Sequence, residues 1–141
     1  MAKPMIRPFE ERDRKNTINL WQTCNITVPW NNPDRDIDRK LLVDPDLFLV
    51  LETQSAIIGS VMGGYEGHRG WIYYLAIAPD FRKRGYGKQL VFEIEKRLRQ
   101  KGCPKVNLMV RTTNTAVLNF YTSLGYVDSE VLCLGKRLDK D

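Results

Sequence analysis

The segment Trp71–Gly102 reads WIYYLAIAPDFRKRGYGKQLVFEIEKRLRQKG. Its first eight residues, Trp71–Ala78, are apolar on both alternating phases, which predicts a β-strand covered on both faces in the middle of a sheet. Pro79 ends that strand, and a basic turn leads into a helix that Gly102 ends. Leucine, valine and isoleucine recur three or four residues apart in this helix, so one side of it is apolar. The segment therefore predicts a strand, a basic turn and a helix in succession.

The rest of the chain predicts the sheet to which this strand belongs. Lys105–Val110 follows the helix as a second strand, and a strand-helix-strand crossover makes the two strands neighbours or near neighbours in a parallel part of the sheet. Other predicted strands are Met5–Pro8, Leu47–Glu52, Ala56–Tyr65, Tyr126–Val127 and Val131–Arg137.

Three further helices complete the predicted order of elements. One follows the first strand, one runs from its N-cap Asn32 to about Val43, and one begins after its N-cap Asn114 and ends at Gly125. The order βααβββαβαβ(β) predicts an α/β fold with a central mixed sheet flanked by helices.

The composition is typical of one globular domain. With 141 residues the chain has about the size of a single ordinary domain, so residues 1–141 are predicted to form one. Apolar residues make up 43% and charged residues 28%, which excludes a disordered or collagen-like chain. No apolar run is long enough to span a membrane and no secretory signal is visible at the N-terminus, so we expect a cytoplasmic protein.

Metal and disulfide chemistry have few residues to use in this sequence. Cys24, Cys103 and Cys133 are widely spaced and form no CxxC pair, which predicts reduced thiols. His68 is the only histidine, so histidine-rich zinc sites lack ligands. We therefore expect no metal cofactor.

The net charge of +5 is concentrated in one part of the chain. Residues 82–101 carry eight basic and two acidic side chains, and the other 121 residues carry a net charge of −1. A nucleic-acid-binding protein spreads its basic residues over a longer footprint with interleaved aromatic residues. A charge focused on one turn and one helix instead fits a compact polyanion such as a phosphorylated cofactor, so no nucleic-acid partner and no membrane partner are predicted.

The turn Arg82–Lys88, RKRGYGK, has the residues of a phosphate site. It lies between a strand and a helix start, where free backbone N–H groups and the positive end of the helix can hold a pyrophosphate. Gly85 and Gly87 allow close approach of a ligand. The sequence has no GxxxxGK[ST] P-loop, and Gly87 is not followed by the third glycine of a dinucleotide fingerprint. On these residues alone, a solvated flexible loop is an equal alternative.

In its context the turn resembles the GNAT family of N-acetyltransferases. The resemblance is carried by LAIAPDFRKRGYG at Leu75–Gly87, by Asn114 and by FYTSLGY at Phe120–Tyr126. The first of these contains the family's (Gln/Arg)-x-x-Gly-x-(Gly/Ala) motif, and the predicted element order is similar to the family's over nearly the whole chain. Within the family, residues 29–33, 61–70 and 102–105 resemble the bacterial YpeA-type acetyltransferases, a resemblance that leaves the acceptor open.

The resemblance implies a GNAT-like fold and an acetyl-CoA-dependent N-acetyltransferase. It implies that backbone groups of Leu75–Ile77 pair with the pantetheine arm of acetyl-CoA and that Asn114 contacts this arm, although a helix cap explains Asn114 equally well. Backbone amides of the turn would hold the pyrophosphate, assisted by charged side chains. The implied cofactor-binding residues are Leu75, Ala76, Ile77, Arg82, Lys83, Arg84, Gly85, Tyr86, Gly87, Lys88 and Asn114.

Tyr121 is the candidate catalytic residue near the leaving group. Its spacing with Val117 and Leu124 places it on the apolar side of the last helix, so a purely structural role is the alternative. The resemblance implies that Tyr121 lies near the CoA sulfur and donates a proton or a hydrogen bond. Because an unperturbed tyrosine has a pKa of about 10 and a thiol one of about 8.5, full proton transfer is uphill by roughly 2 kcal/mol, and a hydrogen bond or a water relay is as plausible.

The catalytic base has no obvious identity in the sequence. Some relatives carry a glutamate in the strand before the last helix, where this chain has Met109, which cannot accept a proton. Glu66 and His68 are the nearby candidates, although a surface role is the favoured reading of each. The alternative is that the enzyme selects the neutral fraction of the amine from solution, which we favour. Met109 also motivates a rival function, a CoA-binding regulatory or interaction module with little or no turnover.

Trp30 and Tyr74 are the candidate acceptor-site residues. Trp30 lies in a loop where the family admits substrate, and Tyr74 lies in the apolar strand as a possible pocket wall, with packing as the alternative for both. The predicted acceptor is a primary amine, on a small molecule or a protein, that attacks the thioester directly in a ternary complex. No acetyl-enzyme is expected, because none of the cysteines has a partner base, and the chain is predicted to be a monomer or a homodimer.

Overall fold

Five strands form one mixed sheet in the computed structural model, which describes residues 3–141. The strands are β1 (Met5–Pro8), β2 (Phe48–Thr53), β3 (Ala56–Tyr65), β4 (Gly70–Ile77) and β5 (Val106–Leu108). The helices are α1 (Arg14–Thr23), α2 (Pro33–Leu41), α3 (Tyr86–Gln100) and α4 (Thr115–Ser123). Single turns of 3₁₀ helix precede α1 and β2 and follow β4.

The order of strands in space is β1-β2-β3-β4-β5. The first three pairings are antiparallel, and β4 and β5, joined through α3, are neighbours as the crossover predicts. The predicted fold class, an α/β fold with a mixed sheet flanked by helices, is confirmed. The expectation that β4 is the middle strand is wrong, because β3 holds that position.

The two helices that pack on β3 cover it on opposite faces. Its residues Ile57–Gly63 are all buried. Side chains alternate in direction along a strand, so Ser60 lies under α1, whereas Gly59 and Gly63 lie under α3. By contrast, the neighbour of β4 on the side away from β3 is β5, which has only three residues. The side chain of Tyr73 on β4 is exposed. One face of β4 is therefore partly open to solvent, at Tyr73.

Both predicted helix caps of asparagine are present. The Asn32 side chain accepts hydrogen bonds from the backbone amides of Asp34 and Arg35 at the start of α2. The Asn114 side chain accepts one from the amide of Val117 at the start of α4, at 3.2 Å. Each bond pairs a backbone amide that the first turn of a helix leaves without an intrahelical acceptor.

The chain divides into two compact units. The first ends at Asn107 and also includes Asp141, and it contains α1 to α3 and the strands β1 to β4. The second unit is Leu108–Lys140, with α4 as its helix. A single domain over residues 1–141 therefore stays a prediction. Within residues 3–141, no helix has the length and hydropathy that crossing a membrane requires.

The two closing strands predicted at 126–127 and 131–137 are absent. After α4 the backbone turns at Gly125, with φ of 97°, and residues 124–140 form no helix or strand. Val131, Leu132 and Leu134 are each at least 77% exposed. A strand with apolar side chains on both alternating phases, as here, would need cover on both faces, and the exposure of these side chains shows that they have none. High β-propensity without a partner strand does not form a ladder.

Gly63 provides the first test, because α3 leaves no room for a side chain there. A Cβ at Gly63 would lie 2.7 and 2.9 Å from two carbon atoms of Ile94, whereas a Cβ at Gly64 would meet nothing within 4 Å. We expect Gly63→Ala to lower the free energy of unfolding by about 1 to 3 kcal/mol through overpacking. The matched control Gly64→Ala should change it by less than about 0.5 kcal/mol. Urea denaturation of both variants measures the difference, and equal stabilities would contradict this account of the packing.

Candidate functional site

The fourth strand carries a bulge where it faces the middle of β3. Ser60 pairs with Ala76, but Met62 pairs with Tyr73, so one residue of β3 lies opposite two residues of β4. Tyr74, one of those two, has φ of 52°, in the left-handed region that a tyrosine rarely adopts. The segment Leu75–Ile77, predicted to lie along the pantetheine arm, begins directly after this residue.

Three groups contact the backbone and the side chain of Tyr74. The Ser60 hydroxyl donates to the Tyr74 carbonyl at 2.8 Å, and the indole N–H of Trp21 donates to the Ser60 oxygen at 2.8 Å. The Trp21 and Tyr74 rings are stacked, with centroids 3.9 Å apart. The Tyr74 hydroxyl donates to a carboxylate oxygen of Asp36 at 2.6 Å.

The Tyr74 hydroxyl stays protonated in this environment. Burial raises its pKa well above the ordinary value, and the negative charges of Asp36 and Asp141 raise it further. A phenol in this state is a hydrogen-bond donor and not a base. Tyr74 is predicted to be part of the acceptor site, and its hydroxyl hydrogen is donated to Asp36 on α2.

The turn after β4 adopts a conformation that suits an anion. The backbone of Lys83 has φ of 64° and that of Gly85 has φ of 84°, two left-handed residues with one residue between them. Turns of this kind direct successive backbone N–H groups into one concavity that binds anions. Glycine takes the conformation freely, whereas at Lys83 it costs of the order of 1 kcal/mol. A Cβ at Gly85 would meet nothing within 4 Å, so the turn is open on that side.

The helix α3 begins directly at this turn. Gly85 is its N-cap and has no side chain to cap it, and the first turn contains no acidic residue. The first backbone bond into the helix runs from the Gln89 amide to the Gly85 carbonyl at 3.1 Å. By helix geometry the amides of residues 86–88 have no acceptor inside the helix. These amides and the positive end of the helix dipole therefore face the same turn.

Four exposed cations surround the turn, and three of them are fixed by contacts. The Nε of Arg82 donates to the Ile77 carbonyl at 2.9 Å, which ties the turn to the end of β4. Arg84 lies over the Phe81 ring at 5.3 Å, and Lys88 lies over the Phe92 ring at 5.5 Å. The fourth cation is Lys83. These contacts order the side chains while their charges stay exposed to solvent.

Glu66 and His68 lie in the hairpin turn between β3 and β4. The Glu66 carboxylate accepts from the backbone amides of Arg69 and His68, and these bonds lower its pKa below the ordinary value. Both residues are exposed. The strand β4 runs from Gly70 at this hairpin to Ile77 at the basic turn, a separation of roughly 23 Å at about 3.3 Å per residue. The structure therefore places these two residues at the other end of β4 from the basic turn, residues 82–88.

Trp30 lies in the loop between α1 and α2. Its side chain is 58% exposed, and the loop is closed by a bond from the Asn31 amide to the Val28 carbonyl at 3.1 Å. The loop leads directly into α2, which carries Asp36, the acceptor of the Tyr74 hydroxyl. Trp30 and Tyr74, the two predicted acceptor-site residues, thus both belong to the first unit. The loop of Trp30 leads into the helix whose Asp36 is bonded to Tyr74.

Tyr121 and Asn114 belong to the second unit. Tyr121 is buried, at 6% exposure, and its ring contacts Phe120 and Tyr126 edge-on at 5.1 and 5.5 Å. Burial raises its pKa above the ordinary value of a tyrosine, so its hydroxyl is protonated at neutral pH. Met109 is 56% exposed, and its sulfur lies 3.0 Å from the Cys133 sulfur. Among the described residues, no group of three or more acidic, cysteine or histidine side chains is arranged to hold a metal ion.

Ser60 and Trp21 are neighbours of the candidate site that the sequence motifs do not indicate. Ser60 stands alone as a polar residue in the apolar run of β3, which signals a buried hydroxyl with a partner. Trp21 lies three residues after the apolar Ile18 in α1 and is buried. That Ser60, which accepts from Trp21, meets the carbonyl of Tyr74 depends on the bulge, which no local pattern predicts.

The fold is similar to that of solved acetyltransferases. It matches the aminoglycoside N-acetyltransferase AAC(6')-Iy in complex with CoA, with a TM-score of 0.79, at 18% identity and with 99% of this chain and 97% of that chain covered. It also matches glucosamine-6-phosphate N-acetyltransferase from Arabidopsis thaliana, with a TM-score of 0.71, at 24% identity and with 98% and 100% covered. These similarities concern the fold.

The chain belongs to the GNAT family of acetyltransferases. The family model described as "Acetyltransferase (GNAT) family" matches residues 13–126. An acetyltransferase of Yersinia enterocolitica and one of Pectobacterium atrosepticum are each 52% identical to this chain over 136 residues, with 96% of both chains covered. The predicted family is thereby confirmed.

Proposed function

We propose that this acetyltransferase moves an acetyl group from acetyl-CoA to a primary amine by direct attack of the amine within a ternary complex. The observation that supports this most strongly is the turn at residues 82–88, where left-handed backbone, a helix N-terminus and four cations coincide. Bound acetyl-CoA would supply the acetyl group as an activated thioester. Action in the cytoplasm and a monomeric or homodimeric state are proposed from the sequence alone.

The residues of the turn fit the phosphates of such a cosubstrate. Backbone amides and arginine and lysine side chains are the donors that phosphate oxygens accept from most favourably. The open space around Gly85 leaves the backbone accessible. In this proposal the amides from Arg82 through Lys88, including those of Tyr86 and Gly87, hold the pyrophosphate. Leu75, Ala76 and Ile77 orient the pantetheine arm along β4, and Asn114 contacts it.

Tyr121 would donate a hydrogen bond to the leaving sulfur. Its raised pKa keeps the phenol protonated, which a donor requires, and makes complete proton transfer to a thiolate still less favourable than for an ordinary tyrosine. We therefore propose that Tyr121 stabilises negative charge on sulfur by a hydrogen bond or relays a proton from water, and does not act as a full general acid.

Proton removal from the amine would occur before binding. A protein base that acts near neutral pH needs a pKa close to 7. The pKa of Glu66 is lowered, and its carboxylate is occupied by two amides of the hairpin turn. We assign Glu66, and His68 beside it, to that turn and propose that the enzyme selects the neutral amine. Trp30 and Tyr74 would line its entry.

A turnover assay tests the function itself. The protein is mixed with acetyl-CoA and a panel of primary amines (a polyamine, an amino sugar, a lysine peptide and a peptide with a free N-terminus), and thiol release is followed together with the mass of each product. A gain of one acetyl group on an amine supports the proposal. Binding of CoA by calorimetry, without release of the CoA thiol from acetyl-CoA in the presence of any of these amines, would favour the rival function, a CoA-binding module, for which Met109 is the motivation.

Gly85 tests the phosphate turn. Asn and Asp have the same shape and both tolerate left-handed backbone, so the pair Gly85→Asn and Gly85→Asp differs in charge alone. We expect Gly85→Asp to raise the Kd for CoA at least about tenfold relative to Gly85→Asn, roughly 1.4 kcal/mol, because a carboxylate would face the phosphates. Isothermal calorimetry measures both. Equal Kd values in the two folded variants would place the phosphates elsewhere.

Tyr121→Phe tests the leaving-group interaction. The change keeps the ring and removes the hydroxyl, so we expect turnover to fall by roughly 10- to 1000-fold while the Kd for CoA persists. The control Tyr126→Phe removes a hydroxyl from the ring that packs edge-on against Tyr121 and should keep turnover within about twofold. If Tyr121→Phe keeps the turnover of the wild-type protein, Tyr121 has only a structural role in the core.

The pH profile of kcat/KM tests the origin of the neutral amine. If the enzyme selects it from solution, kcat/KM rises with pH up to the pKa of the acceptor itself, and two acceptors of different pKa give two displaced profiles. Glu66→Gln and His68→Gln should leave both profiles unchanged, since Glu66 is already ionised well below neutral pH. A limb at about pH 6 to 7 that is common to both acceptors and disappears in either variant would instead identify a protein base.

A further inference from the structure

Ser60 is one of three buried polar side chains in the described part of the chain, with Asp13 and Thr17. It lies on the middle strand, at 0% exposure, between Gly59 and Val61. A buried hydroxyl there is unfavourable unless it is hydrogen-bonded. Ser60 is bonded on both sides, because it accepts from the Trp21 indole and donates to the Tyr74 carbonyl, each at 2.8 Å.

The carbonyl that Ser60 holds belongs to the strained residue of the bulge. A regular strand would direct backbone groups of β4 in alternation, whereas the left-handed φ of Tyr74 resets the direction of the groups that follow it. Ring stacking on Trp21 and the bond to Asp36 fix the side chain of Tyr74, but the backbone of this residue has the Ser60 hydroxyl as its side-chain partner. Removal of that hydroxyl would take from the Tyr74 carbonyl and from the buried indole N–H of Trp21 the hydrogen bonds that they make to Ser60.

We infer that Ser60, held by Trp21, is a positioning residue for acetyl transfer, which fixes the Tyr74 carbonyl and thereby the direction of the backbone groups of Leu75–Ile77. The inference rests on the proposed function, in which Leu75–Ile77 orients the acetyl donor. Ser60 does not touch the donor in this scheme and acts through the bulge. Alignment of reacting groups is sensitive to small displacements, and an error of about 1 Å costs on the order of 100-fold in rate.

Ser60→Ala is the direct test, with Gly63→Ala as its control. Both positions are buried on β3, and both changes are expected to lower stability, but Gly63 contacts α3 and not the bulge. We expect Ser60→Ala to lower kcat at saturating acetyl-CoA and amine by about 10- to 100-fold at a temperature where both variants are folded. Gly63→Ala should keep kcat within about twofold. Ser60→Thr, which retains the hydroxyl, should recover most of the lost kcat.

Hydrogen exchange gives a readout that does not depend on activity. Peptides that span Tyr74–Ile77 should exchange faster in Ser60→Ala than in wild type, while peptides from β2 should not change. In Gly63→Ala, faster exchange is expected only in peptides from β3 and α3. Trp21→Phe, which removes the indole donor and keeps an aromatic ring, should change kcat and exchange in the same direction as Ser60→Ala, and it serves if Ser60→Ala does not fold.

The outcomes separate the inference from the proposed function. Wild-type kcat in Ser60→Ala, or an equal loss in Gly63→Ala, would overturn the positioning role even if the wild-type protein transfers acetyl groups. A wild-type protein that binds CoA without acetylating any amine would overturn the proposed function and the kinetic role of Ser60 with it. Unchanged exchange at Tyr74–Ile77 in Ser60→Ala would by itself overturn the hold of Ser60 on the bulge.

Discussion

The hydrogen bond from the Ser60 hydroxyl to the carbonyl of Tyr74 is the contact on which the shape of β4 depends. A tyrosine in the left-handed region costs of the order of 1 to 3 kcal/mol and persists only where the surroundings determine it. Here a hydroxyl binds the backbone, an indole stacks on the ring and a carboxylate binds the phenol. These partners come from β3, α1 and α2, so the bulge links three separate elements of the first unit.

Beyond the bulge, positive charge and left-handed backbone coincide in one turn, residues 82–88. The net positive charge of the whole chain is carried by residues 82–101, and the turn within that segment adds left-handed backbone and a helix N-terminus. Arg82 contributes in two ways, since its Nε binds the Ile77 carbonyl while the guanidinium charge stays at the surface. The strand that would orient an acyl donor and the turn that would hold its phosphates are thus joined by one side chain.

Most of the fold could be predicted from the sequence because its signals are local. The bounds of β1 and β3, the caps Asn32 and Asn114 and the glycine after α3 follow from periodicity and capping chemistry. The position of the basic turn, residues 82–88, between a strand and a helix start was predictable for the same reason. Two features that depend on strand pairing were not predictable: the bulge depends on the register between β3 and β4, and the central position of β3 depends on how many strands pair on each side of it.

The predicted closing strands are a case in which local signals gave a wrong prediction. Val131–Arg137 has the β-branched and leucine content of a strand, yet strand formation needs a partner ladder as well as propensity. The residues remain without regular structure and exposed. For the candidate site, the types of residue were predictable, whereas the lowered pKa of Glu66 arises from amides of its own hairpin turn that only the structure displays.

The two glycines of β3 under α3 have a consequence for how this protein could change over time. Leu90 and Ile94 rest directly on backbone at Gly59 and Gly63, so the distance of α3 above the sheet is set by two missing side chains of β3. Leu90 is the fifth residue of α3 and lies next to its first turn, whereas Ile94 lies one helical turn farther along. An added methyl at Gly59 would therefore displace the start of the helix and rotate its first turn relative to β4. Neutral drift at Gly59 is restricted by the orientation that the start of α3 must keep.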